Sequence, residues 1–147
     1  MSWPLLVVLH AVPTLYLCGL IWFVQVVHYP LFAAIGERDF VAYERAHCRR
    51  ITPIVLPPMV AELGLALWLW FAAPPAVAPW AGAGLGLLAI VWGSTFLVQV
   101  PCHERLGLTA DAVAMRRLVL SNWVRTAAWT LRGGLAVGFL LPGAVAA

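Results

Sequence analysis

The sequence predicts an all-α membrane protein: a bundle of four transmembrane helices with helical extensions on the cytoplasmic side. Three observations predict it. The chain is 63% hydrophobic and 10% charged, far less charge than a soluble domain of 147 residues carries on its surface. Four apolar stretches, about 3–28, 52–71, 80–100 and 119–141, are each long enough to cross a bilayer. Every basic residue is Arg, and seven of the nine fall in two of the segments between those stretches. Residues 1–147 read as one domain.

The first stretch carries a polar stripe, His10, Thr14, Cys18, Gln25 and His28, which should face protein and not lipid. Pro13 is placed to kink it. Pro30 and Gly36 are expected to end it, and Asp39 to cap a new helix, FVAYERAHCRRI, that runs past Pro53, Pro57 and Pro58 into the second stretch. A charge-free link, Ala72 to Pro79, leads to the third. There Gly82, Gly84 and Gly86 read as close helix packing, not a nucleotide loop, because no strand precedes them. Thr109 or Asp111 should cap the last helix, whose Asn122, Arg125, Trp129 and Arg132 share one face and which ends by Pro142.

Arg38, Arg45, Arg49 and Arg50 lie between the first two stretches, and Arg105, Arg116 and Arg117 between the last two. The termini and the middle link hold none. The positive-inside rule then places both basic segments in the cytoplasm of an inner membrane and both termini on the non-cytoplasmic side. The Val-Gln-Val at Val24 and again at Val98 raises the pattern of two parallel helical hairpins, a pattern three letters in a Val-rich chain also produce by chance.

Composition excludes several classes. The absence of Lys removes Schiff-base chemistry. Three Cys without a CxxC or CxxCH give no disulfide framework or haem-attachment motif, and they read as small buried hydrophobes. The net charge of +3 is a topology signal, so no nucleic-acid partner is expected. The N-terminal apolar run lacks a basic flank and is too long for a signal peptide, so the first helix is expected to remain.

The unusual chemistry gathers at the cytoplasmic helix ends. Gln25-x-x-His28 closes the first stretch, Glu44-x-x-His47 opens the next helix, and Gln99, Cys102, His103 and Glu104 close the third. His28, His47 and His103 are expected to converge with Glu44 beside them. Imidazoles and carboxylate together suit iron, copper or zinc, with haem ranked behind. The bland alternative is equally physical: His and Arg at helix ends serve as interfacial anchors, and only one Glu-x-x-His exists where di-iron bundles use two. Deeper in the bilayer Glu62 is expected to meet Arg125 or Arg132. This is either a structural ion pair or a polar pocket in which Glu62 and Arg125 act catalytically, while Gln25, Gln99, Asn122 and Arg132 bind a small apolar or phenolic ligand.

The layout resembles the small four-helix anthrone oxygenase-like membrane proteins. The residues that carry the resemblance are the YPLF segment Tyr29 to Phe32, the Arg49, Arg50 and Pro53 cluster, and NWVRT from Asn122 to Thr126. The resemblance implies a membrane oxygenase acting on a polycyclic phenolic substrate, with Asn122 and Arg125 in its polar site. A fainter likeness, to small membrane protoporphyrinogen oxidases with a first-helix His, rests on His10 and is opposed by the absence of Lys. The leading expectation is a membrane oxidoreductase with a metal site, free to form a homo-oligomer. The alternatives are a small proton-coupled transporter or binding protein using Glu62, and an assembly subunit without chemistry.

Overall fold

The computed structural model describes residues 1–141, and among these it is all-helical. Its elements are α1 (Trp3–Phe23), a π turn (Val24–His28), α2 (Tyr29–Leu31), a 3-10 turn (Phe32–Ala34), α3 (Glu37–Ala72), α4 (Ala78–Ser94), a second π turn (Thr95–Gln99), α5 (Val100–Leu106) and α6 (Ala112–Leu140). Three continuous helical segments, Trp3–Ala34, Glu37–Ala72 and Ala78–Leu106, are long and apolar enough to cross a membrane. The remaining long helix, α6, is interrupted in its apolar run by Arg125 and Arg132 and is not among those three.

α6 packs against α1 and α4, α1 against α3, and α3 against α4, so the helices close a ring. Two apolar clusters fill it. One surrounds Phe32, Phe40, Leu106, Leu118 and Trp129. The other joins Leu6, Val7, Leu69, Val77, Ala81 and Phe139. Small residues set the close approaches: a Cβ on Gly133 would meet Cys18 Sγ at 3.3 Å, and one on Gly84 would meet Arg132 Nη1 at 3.5 Å.

The prolines behave differently from the sequence expectation. Pro30 does not end the first helix. The preceding π turn bonds Tyr29 N–H to Val24 O, five residues back, and the helix then continues to Leu31. The second π turn does the same before Pro101, with Val100 N–H bonded to Thr95 O. Proline lacks the N–H that an α-helix needs and crowds the carbonyl four residues earlier. A widened turn just before it relieves that crowding while the rod continues. Pro30 and Pro101 stand at the same distance from the starts of their π turns, Val24 and Thr95. The Val-Gln-Val repeat does not share this spacing, since Gln25 is the second residue of its turn and Gln99 the last of its own.

α3 stays helical through Pro53, Pro57 and Pro58 for 36 residues, which makes it about 54 Å long. Its N-cap is Gly36, not Asp39. Asp39 and Glu37 sit in the first turn, where they offset the positive end of the helix dipole. Asp111 caps α6: its Oδ1 accepts from Val113 N–H at 2.8 Å and Ala114 N–H at 3.0 Å. The helix it starts ends at Leu140, and Pro142, with the rest of the expected domain to 147, lies outside the described residues.

Candidate functional site

The π turn that follows α1 converges with α2, the first third of α3 and α5 on a polar cluster. Glu44 on α3 is fully buried, and its Oε1 receives His103 Nδ1 at 2.5 Å and the Cys48 thiol at 3.3 Å. A carboxylate only accepts, so Nδ1 of His103 carries the proton and Nε2 accepts from the Tyr29 hydroxyl, 3.1 Å away. His47 stacks beside this group, with ring centroids 5.6 Å from His103 and 4.5 Å from His28. His28 Nε2 and His47 Nδ1 are 2.9 Å apart. Arg45 Nε donates to Gly107 O at 2.7 Å, which ties the two Arg-rich segments together at this end.

Glu44, Cys48 and His103 each offer a ligand atom within 4.8 Å of the others. The second carboxylate oxygen, Glu44 Oε2, is buried without a hydrogen-bond partner. An orphaned anionic oxygen beside an imidazole and a thiol is a donor set that suits a transition metal. Of the four ligands expected from sequence, Glu44 and His103 belong to this group. His47 and His28 line up behind it as a stacked pair. Cys48 takes the third place. Its spacing of four residues from Glu44 puts the two on one helix face.

A cavity of about 260 Å³ runs from this cluster along the bundle. His47, His103, Tyr29 and Gln99 line its polar end, with Arg125 and Trp129 on the α6 side. The rest is apolar: Leu17, Ile21 and Val24 from the first helix, Val55, Leu56 and Met59 from α3, Trp92 and Phe96 from the third. Leu56 and Phe96 are also exposed on the outer surface, at 45% and 56%, so the cavity opens sideways between α3 and the α4–α5 segment.

Arg125 is held by neutral groups. Its Nη1 donates to Asn122 Oδ1 at 3.2 Å, and its guanidinium lies 5.1 Å from the Trp129 ring centre. Asn122 in turn donates to Gln25 Oε1 at 2.8 Å, and Gln25 Nε2 reaches Val119 O at 3.3 Å. Gln25 and Asn122 thus form a buried amide chain that orients Arg125, while Gln99, anchored by Ser121 at 2.9 Å, faces the cavity.

Glu62 meets Arg132, not Arg125. Glu62 Oε1 accepts from Arg132 Nε at 2.9 Å and Oε2 from Trp129 Nε1 at 3.1 Å. Arg132 also donates to Gly84 O and faces His10 Nε2 at 3.3 Å. This is a buried network, and Glu62 and Arg132 are not among the residues lining the large cavity. Sequence reasoning missed Tyr29 and Cys48 as members of the polar cluster. The signal for Cys48 was its helical spacing from Glu44. Tyr29 carried none, because its place depends on the π turn before it.

Comparison with protein-family models, with curated proteins and with solved structures found no match.

Proposed function

We propose that the protein is a four-span membrane oxidoreductase that acts on an apolar or phenolic small molecule at a transition-metal centre on its cytoplasmic side. The observation that carries this reading is the junction of two features. The Glu44, Cys48 and His103 group, with its unpartnered carboxylate oxygen, abuts a largely apolar cavity that opens sideways. Iron, copper or zinc would take His103, Glu44 and Cys48, with His47 next in reach. Bound there, the ion would supply Lewis-acid or redox chemistry at the cavity's polar end.

The chain's own residues do the positioning. Glu44 and Tyr29 hold the two ring nitrogens of His103, so an ion would bind by displacing one of these hydrogen bonds, and Gln25 and Asn122 aim Arg125. Asn122 and Arg125 belong to the NWVRT segment of the anthrone oxygenase-like resemblance, and their burial together beside the cavity supports an oxygenase branch of the reading. Exposed Val12, Phe71, Leu97 and Leu131 around the outside suit a lipid surface, with α6 as the fourth span. The Arg45–Gly107 contact joins the two basic segments at one end, as the positive-inside orientation with external termini requires.

The transport alternative needs Glu62 to exchange its proton. Both oxygens of Glu62 are committed to Arg132 and Trp129, which favours the oxidoreductase reading. Metal analysis and an absorption spectrum of detergent-purified protein, before and after anaerobic loading with Fe(II), Cu(II) or Zn(II), test the proposal. Close to one ion per chain, lost in Glu44→Gln and His103→Ala, is expected. No ion bound under any of these conditions refutes it.

A further inference from the structure

Arg125 is a buried guanidinium, 7% exposed, and it takes part in no ion pair among the described residues. The nearby acids are otherwise engaged, Glu62 with Arg132 and Glu44 with His103. A cation removed from water and left without a counter-charge is costly, in lipid more than anywhere. Arg125 Nε also has no hydrogen-bond partner, and the same is true of Trp92 Nε1. Both residues line the large cavity. The two residues that carry these donors, one of them a fixed positive charge, line a single largely apolar chamber that opens sideways at Leu56 and Phe96.

We propose that this cavity binds a membrane-soluble carboxylic acid, such as a fatty acid, as its carboxylate. The carboxylate's charge neutralises the guanidinium of Arg125, and the Trp92 indole is a second polar group in the same wall. The acyl chain lies against Leu17, Val55 and Met59 and enters between α3 and the α4–α5 segment. The third orphan in the wall, Gln99 Oε1, is an acceptor; its amide nitrogen is fixed on Ser121, so it takes a donor such as a water that accompanies the head group. The inference rests on the membrane-cavity reading above and narrows its ligand to an anion.

The test uses detergent-purified full-length protein as isolated, without added metal. Binding of radiolabelled dodecanoic acid is competed with unlabelled acid and with its methyl ester, which has the same chain and no charge. Saturable binding is expected, with the ester about tenfold or more weaker. Arg125→Gln should abolish the preference for acid over ester, and Arg125→Lys should retain part of it. Trp92→Phe keeps an aromatic side chain and the charge site but removes the N–H, so it should weaken the acid several-fold. Circular dichroism and size-exclusion profiles show whether each variant is folded. If Arg125→Gln does not fold, Leu56→Trp at the mouth replaces it and should block both ligands. An ester that competes as well as the acid, or an acid that binds Arg125→Gln unchanged, overturns the proposal. Metal content is measured on the same samples, so failure of the metal centre shows as missing metal and leaves the acid-binding result readable.

Discussion

His103 Nδ1 lies 2.5 Å from Oε1 of Glu44, although 59 positions separate them in the chain. The contact joins α5 to the first third of α3 and, with the Tyr29 hydroxyl on the other ring nitrogen, fixes the orientation of the His103 ring. Glu44→Gln preserves the volume but places an amide against the N–H of His103 and removes the charge. We expect metal binding to be lost, because the change removes the charged member of the proposed donor set. Isothermal titration of the purified variant with Zn(II) or Fe(II) checks this. Unchanged affinity would remove Glu44 from the centre.

The Glu62–Arg132 pair should behave as a unit. Both are buried, and each is left uncompensated when the other is truncated. Breaking such a pair costs about 3–5 kcal/mol, whereas replacing both partners with apolar groups of similar size is far milder. Glu62→Leu should therefore destabilise more than Glu62→Leu with Arg132→Met. Thermal unfolding in detergent for the full cycle gives the coupling energy. Additive effects of the two changes would mean that the pair contributes little.

Asp111 supplies a pH-dependent contact outside the bundle core. The N–H of Ala114 chiefly, with Arg105 and the N–H of Val113, holds its carboxyl below the usual value of 3.8. A depressed acid stabilises the fold while ionised, so its contribution is complete above pH 3.8 and fades as pH falls through the lower folded value. Asp111→Asn keeps an oxygen for the cap but should lose this acid-range dependence. Asp111→Ala should fray the first turn of α6 at every pH. Hydrogen exchange at Val113 and Ala114 against pH separates the two.

Both termini are expected on the non-cytoplasmic side. A phosphatase reporter, active only outside the cytoplasm, should be active when fused after Ala147, and a fluorescent reporter that matures only in the cytoplasm should stay dark. The reverse pattern would invert the orientation. Because the rule sums charges, reversal by mutation should need several of Arg38, Arg45, Arg49, Arg50, Arg105, Arg116 and Arg117 changed together.

The helical class and the run of apolar segments were legible in composition alone. That Glu62 needed an Arg was legible as well, because an isolated carboxylate among apolar side chains is too costly. Which Arg it takes was not. Arg125 and Arg132 share a face, and the choice turns on how far α3 slides past α6, a matter of packing at Gly84 and Trp129. The convergence of His28, His47 and His103 followed from their common depth at helix ends. The order within the cluster did not, since Cys48 looked like filler until Glu44 was seen one turn away with a free oxygen. Pro30 read as a break because local sequence shows the missing N–H but not the widened turn that absorbs it.

Those widened turns have a consequence for heredity as well as shape. Each holds one residue more than the α-helical turn it replaces, so it acts as a single-residue insertion carried inside a continuous rod. At about 100° per residue, that insertion turns everything beyond it by more than a quarter of a circle. Downstream of Val24 it sets where His28 and Tyr29 point, and downstream of Thr95 it does the same for His103. Deleting one residue from either turn would leave composition, charge and span length almost untouched. It would swing half of the polar cluster away from the other half, a lesion invisible to hydropathy and plain in the loss of the Glu44–His103 contact.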